Sequence, residues 1–186
     1  MIAMIGTNGR RPARGFSLLE LMIVVGITLV VAAVAIPGVL TATQNFKLRS
    51  TASSFSGLVQ KCRMLAVARN TLNPVIPSSG GFTCTVSSLE NRDILLPPSI
   101  VADTTAGGLS PSSMNMSWTS TATVGLPVFN PRGLPCVVSG GACNTGNGYI
   151  YYFRQDRALG ATGWAAITVT PAGRAQVWTW DGNNWE

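Results

Sequence analysis

The chain has 186 residues, enough for one globular domain and an additional segment. Charged residues make up 11% and hydrophobic residues 46%, against about 25% charged in an ordinary soluble domain. There is no histidine, which removes the commonest general base and a frequent metal ligand. The net charge is +6, and Arg10, Arg11 and Arg14 supply three of those charges. The rest of the chain, with 10 basic and 7 acidic residues, does not by its balance point to nucleic acid.

Residues 1–15 are polar and end in Arg-Pro-Ala-Arg-Gly. The apolar run Phe16–Ile36 follows, 21 residues with Glu20 as its single charge. As a helix it is about 31 Å long, the thickness of a bilayer core of about 30 Å. Arginines before the run and none within it predict a start in the cytoplasm and Pro37 onward outside. The competing reading is an export signal, with Ala32, Ala33 and Ala35 imitating its cleavage site. Such a signal has an apolar region of about 7–15 residues. This run is longer, and it carries a carboxylate that costs about 2.5–3.5 kcal/mol to insert. The bland reading of Glu20 is a side chain reaching the interface from shallow depth.

Gly15-Phe16-Ser17-Leu18-Leu19-Glu20-Leu21-Met22-Ile23-Val24-Val25 resembles the prepilin-peptidase recognition segment of type IV pilins and type II secretion pseudopilins. Pro37 falls where pilin helices commonly carry a proline. The resemblance implies cleavage between Gly15 and Phe16 on the cytoplasmic side and N-methylation of the Phe16 amine. Glu20 then lies one helical turn from that amine, where pairing reduces the cost of burying both charges. The resemblance makes Glu20 an assembly residue that registers a subunit against its neighbour. The apolar run would span the membrane before assembly and form a filament core afterwards.

Apolar spacing continues past Pro37. Leu48, Ala52, Phe55, Val59, Cys62 and Ala66 recur at steps of four and three, with Leu58 and Leu65 widening the stripe, which predicts a helix. Lys47, Arg49, Lys61 and Arg63 lie off its centre. One long helix is expected from Phe16 to about Arg69, apolar all round in its first half and amphipathic in its second, which should pack against a sheet. Pro37 removes one donor and crowds the preceding turn, so a kink or local unwinding is expected there.

Asn73-Pro74 and Pro77–Gly81 read as loop. Strands are expected at Phe82–Ser87, Met114–Trp118, Val124–Phe129, Tyr149–Arg154, Trp164–Thr170 and Arg174–Trp180, the last two as a hairpin through Pro171-Ala172-Gly173. Ala102–Ser113 reads as loop. Helix followed by antiparallel strands is an α+β pattern. The organisation expected is a leader (1–15), a spanning helix (16–36), its amphipathic continuation (37–70) and a β-rich domain (71–186). Phe129-Asn130-Pro131-Arg132-Gly133 and Val169-Thr170-Pro171-Ala172-Gly173-Arg174 resemble the strand-and-turn motifs of the GspH/FimT group of minor pseudopilins. That resemblance implies a pilin-like fold and a minor subunit. Its partners would be other pilins or pseudopilins, the prepilin peptidase and an inner-membrane assembly platform. Its place would be the bacterial inner membrane as a single-pass protein, with the C-terminal domain periplasmic, and then the filament.

The predicted topology puts Cys62, Cys84, Cys136 and Cys143 in an oxidising compartment. None forms a C-x-x-C pair, so no metal site is expected. Cys136 and Cys143 flank a short loop that a hairpin could close. Cys62 sits on the sheet-facing stripe and Cys84 on the first expected strand. The expected links are Cys136–Cys143 and Cys62–Cys84, out of three connectivities; the alternative for Cys62 is a small buried apolar residue.

No catalytic constellation is visible and no cofactor is implied. Without histidine, a Ser or Cys nucleophile needs another base, and the only lysines, Lys47 and Lys61, belong to the long helix. DNA binding is the second hypothesis. Some GspH/FimT-type subunits belong to DNA-uptake pili and contact DNA through basic residues of the C-terminal turn. Gly173 and Arg174 match that turn, and Gln176 stands where a second basic residue would be. Arg154, Arg157 and Arg174 with Trp164, Trp178 and Trp180 are candidates for a cationic, stacking surface. The plainer reading is solvated arginines and tryptophans in the core or at a subunit contact.

Overall fold

The structure, a computed structural model, describes residues 16–78, 80–84, 93–103, 109, 111–114, 116, 118, 123–124, 126–156 and 162–186. The expected leader with Gly15, residues 85–87 of one expected strand, and Arg157 lie outside the described residues. The chain divides into two compact units, Met1–Leu40 and Thr41–Glu186.

The long helix α1 spans Leu18–Arg69. Its described residues in the first unit are exposed almost without exception. Helical assignment continues through Pro37, so the local unwinding expected there is not observed. A proline removes one N–H and leaves the neighbouring hydrogen bonds to hold the helix.

In the second unit α1 becomes amphipathic. Leu48, Ala52, Phe55, Leu58, Val59, Cys62 and Ala66 are buried, while Lys47, Arg49 and Lys61 are exposed. The helix stops at Asn70, whose φ of 52° is the left-handed conformation that asparagine tolerates. Thr71 N–H donates to Ala66 O at 3.2 Å and Asn70 N–H to Val67 O at 3.3 Å, closing carbonyls that the helix end would leave open.

Short strands follow: β1 (Asn73–Pro74), β2 (Ile76–Ser78), β3 (Gly81–Thr83), β4 (Ile94–Leu95), β5 (Ile100–Asp103), β6 (Thr123–Val124), β7 (Val128–Phe129), β8 (Pro135–Ser139) and β9 (Ala142–Thr145). Longer ones end the chain: β10 (Tyr149–Gln155), β11 (Gly163–Val169) and β12 (Ala175–Thr179). One sheet runs β1-β7-β8-β9 and a second β2-β3-β4. The main sheet runs β12-β11-β10-β5, with β6 parallel to the first residues of β10. The fold is therefore a long N-terminal helix and antiparallel sheets, an α+β pilin-like architecture.

Several expectations need correction. Asn73-Pro74, Pro77-Ser78 and Gly81 were expected as loop and lie in strands, because Asn73–Pro74 pairs with Val128–Phe129 and Ile76–Ser78 with Gly81–Thr83. Cys84 follows the third strand rather than lying on the first. Pro111–Met114 is a 3-10 turn, so the strand expected from Met114 does not begin there. Ile100–Asp103 is a strand where loop was expected from Ala102. Val124–Phe129 is split, its halves pairing with different sheets.

The main sheet is covered on both faces. Tyr149, Tyr151, Phe153, Ala165, Ile167 and Val169 join the buried residues of α1 in one core cluster. Ile150, Tyr152, Trp164 and Ala166 face the other way, with Met114 and Trp185. Phe55 is the hub of the helix side. Its ring lies 4.9 Å from Phe82, 4.9 Å from Tyr151 (stacked) and 5.2 Å from Phe153. Phe55→Ala is expected to destabilise the domain by about 3–5 kcal/mol, read from the shift of its denaturant unfolding midpoint.

Candidate functional site

The first candidate feature is the N-terminal end of α1. Glu20 lies in the first turn, where the aligned peptide dipoles favour a negative charge. Phe16 is 77% exposed and Leu21 N–H donates to Ser17 O at 3.1 Å. Phe16 and Glu20 stand four residues apart, one turn at 3.6 residues per turn. Among the described residues, one helix is long and apolar enough to cross a membrane, and its apolar stretch has no buried residue.

The second feature brings together two distant sequence motifs. Asn130-Pro131-Arg132-Gly133 and Thr170-Pro171-Ala172-Gly173 are turns of one construction: a polar residue, a proline, and a glycine at positive φ, 74° at Gly133 and 80° at Gly173. Gly133 N–H donates to Asn130 O at 2.8 Å and Gly173 N–H to Thr170 O at 2.7 Å. The leading side chains close the turns: Asn130 Oδ1 accepts from Leu134 N–H at 3.0 Å, and Thr170 Oγ1 from Arg174 N–H at 3.1 Å.

Both turns dock against α1 at Arg63, whose Nη1 donates to Gly173 O at 3.2 Å. A Cβ on Gly173 would lie 2.6 Å from Gly133 O and 3.1 Å from Arg63 Nε. Sequence reasoning placed Arg63 off the helix stripe and gave it no role. The readable signal was its position next to Cys62, at the border of the buried stripe. Gly173→Ala should cost about 2 kcal/mol or more, from left-handed backbone strain plus overlap with the Gly133 carbonyl. Thermal unfolding of the variant and the parent checks this.

The structure joins Cys62 to Cys84 (Cα–Cα 5.1 Å) and Cys136 to Cys143 (Cα–Cα 5.4 Å). The first link ties the buried stripe of α1 to the residue after β3 and closes a loop of sequence separation 22, worth about 3 kcal/mol in the chain-entropy account. The second is a diagonal across the β8–β9 hairpin, since Cys136 pairs with Thr145 and Cys143 with Val138. The Tyr149 hydroxyl donates to Cys136 O, binding that hairpin to the main sheet. Burial raises the Tyr149 pKa, so the hydroxyl keeps the proton it donates.

Asp93 anchors the opposite flank of the helix. Its carboxylate accepts from Thr83 Oγ1 at 3.0 Å, from Cys84 N–H at 2.9 Å and from the Lys61 ammonium. The side chain is 12% exposed. Burial opposes its ionisation, but the bonds from Lys61, Cys84 and Thr83 outweigh burial and lower the pKa. A lowered folded pKa gives stability that is complete above the unfolded value of about 3.9. That stability is lost as pH falls through the lower folded value. Asp93→Asn should therefore lose stability at neutral pH and show a shallower acid decline below about pH 4. Urea unfolding across a pH series reads this.

Among the described residues, Arg154 and Arg174 stand at opposite ends of the β11 register. Arg154 pairs with Asp103 at 3.4 Å and Asp156 at 3.2 Å, so two carboxylates offset its charge. It stands opposite Trp164, at the start of β11, whereas Arg174 lies past the other end, about 20 Å away at ~3.3 Å per residue. Trp164 is 9% exposed and belongs to the second core. Trp178 and Trp180 pack against that core, and Trp178 Nε1 donates to Thr168 Oγ1 at 2.9 Å. Arg174 is exposed and lines a cavity of about 300 Å³ with Trp118, Gln176 and Trp178. Among the described residues, no group of three or more His, Cys, Asp or Glu could hold a metal ion.

Residues 10–36 match the family model of the prokaryotic N-terminal methylation motif. No curated protein and no solved structure matches the chain. The matched residues from Leu18 onward form the start of α1, in the apolar, exposed stretch long enough to cross a membrane. Motif and fold together support a type IV pilin-like protein, and the apolar helix found among the described residues fits a membrane anchor. In such proteins the N-terminal segment serves processing by prepilin peptidase and assembly with other pilins.

Proposed function

We propose that this chain is a minor pilin or pseudopilin of the GspH/FimT type, a structural subunit of a type IV pilus or a type II secretion pseudopilus. The single observation that carries the reading is the methylation motif at residues 10–36, set on an apolar helix with exposed surface all round. Peptidase cuts after Gly15, the Phe16 amine is methylated, and the mature helix stays in the inner membrane with the β-rich domain periplasmic. Extraction into the filament exchanges lipid for the apolar helices of neighbouring subunits. Glu20 of the incoming subunit pairs with a Phe16 ammonium, because two opposite charges in an apolar core lose less hydration energy together than apart. Pro37 is where the helix yields under load, since it has one hydrogen bond fewer. The two turns at Arg63 resemble the group's strand-and-turn motifs, which supports the minor-subunit assignment. Chemistry is left to the peptidase, the platform and the motor.

An alternative is the DNA-binding minor pilin of a natural-transformation pilus. The observation favouring it is the exposed guanidinium of Arg174, which has no ion-pair partner among the described residues. Arg154, already paired with two carboxylates, adds little to it.

Glu20→Val tests the proposal. In cells carrying the filament machinery, the variant should be cut normally yet drop about tenfold in the sheared filament fraction, roughly 1.4 kcal/mol of assembly free energy. Equal recovery of variant and parent would remove Glu20 from assembly. A parent protein that never leaves the membrane fraction would contradict the filament role itself.

A further inference from the structure

β12 is the outer strand of the main sheet, with β11 on one side only. Its backbone groups alternate in direction along the strand. Trp180 N–H donates to Trp164 O at 3.1 Å, so the even-numbered residues turn toward β11. Thr179 faces the other way: it donates to Glu186 O at 2.8 Å and accepts from Glu186 N–H at 3.0 Å. By the same alternation Val177 and Ala175 present their N–H and C=O groups outward. Among the described residues nothing pairs with them there. Beside this edge lies an open groove of about 510 Å³, lined by Arg49 and Ser53 of α1 with Val177, Thr179 and Glu186.

Proteins blunt open edges with charges, prolines or bulges. β12 reads Ala-Gln-Val-Trp-Thr, with no charge and no proline, and its register with β11 is unbroken. One rung is already filled in antiparallel fashion by Glu186, and the next two, at Val177 and Ala175, have no backbone partner among the described residues.

We propose that this edge is a strand-addition site, taking an extended segment of a partner protein antiparallel to β12, in line with Glu186. Backbone pairing supplies the affinity and alternate side chains supply the selectivity. The partner residue opposite Val177 turns its side chain to the same face as Val177, into the groove. There the Val177 side chain, the Thr179 methyl and the Arg49 stem suit an aliphatic group. Its neighbours lie over Gln176 and Trp178 and are polar or small. A second copy of this chain fits poorly. Two β12 edges paired antiparallel keep the same faces, which brings two α1 segments, each with its Arg49, to one edge.

The test uses the full chain in detergent micelles and the peptide acetyl-Thr-Val-Thr-Val-Thr-amide. Amide hydrogen exchange is resolved residue by residue. Saturating peptide should slow exchange at Val177 and Ala175 about tenfold, ~1.4 kcal/mol, and leave Gln176 and Trp178, already bonded to β11, unchanged. Val177→Pro removes an N–H that the fold does not use, so the variant should stay folded and lose the response. The same peptide with both valines N-methylated should have no effect. Unchanged exchange at Val177 up to the peptide's solubility limit overturns the proposal. So does an equal response from the N-methylated peptide or from a folded Val177→Pro variant. Slowing that grows with protein concentration and needs no peptide assigns the edge to a second copy, and likewise overturns it.

Discussion

An apolar helix exposed on every side has no stable place in water, and everything else in this molecule is arranged around that constraint. From Leu18 to Leu40 nearly every described residue is exposed. Burying one large aliphatic side chain is worth about 1.5–3 kcal/mol, so a segment with more than a dozen such residues exposed must be taken up by lipid or by other apolar helices. A segment cut away after export would need neither. A segment kept in the mature chain needs one or the other; in the proposed filament role it meets both in turn, and there a lone Glu20 becomes useful. It is affordable at the shallow end of a bilayer and able to meet an ammonium in a helix bundle.

The domain meets a different demand on the same helix. From Leu48 to Ala66 one stripe is buried, and three kinds of bond fasten it. Aromatic rings meet at Phe55, a disulfide leaves from Cys62, and polar anchors stand at the flanks, with Lys61 to Asp93 on one side and Arg63 to Gly173 on the other. The Arg63 contact joins the two glycine turns, which lie forty residues apart in sequence. Small residues there are a packing requirement, because a Cβ at Gly173 would run into a carbonyl. The outer face of the main sheet is closed by Met114, Trp118, Trp178, Trp180 and Trp185, so most of the tryptophan surface belongs to the core.

The helix was legible because its signal is long. Leu48, Ala52, Phe55, Val59, Cys62 and Ala66 were selected by period alone, and all six are buried. The three long C-terminal strands were legible to within a residue or so at most of their ends for a related reason, being rich in β-branched and aromatic residues. The middle of the chain was not. Asn73–Pro74 and Ile94–Leu95 are strands of two residues, made by pairing partners far away, and a proline in one of them argues against strand on local grounds. The second core was missed because Tyr149–Gln155 and Gly163–Val169 do not alternate in polarity: both faces are buried, a pattern that a short apolar run does not distinguish from other buried elements. At the candidate site, Glu20 and the two turns were visible in sequence. The role of Arg63 was not, since a cation beside a helix stripe looks the same whether it meets water or a carbonyl.

The most direct measurement is the N-terminal sequence and mass of the mature protein recovered from membranes. The account predicts a chain that starts at Phe16, carries one methyl group on that amine, and retains the whole apolar helix. A mature chain starting beyond residue 36 would make the helix a discarded export signal and contradict the account.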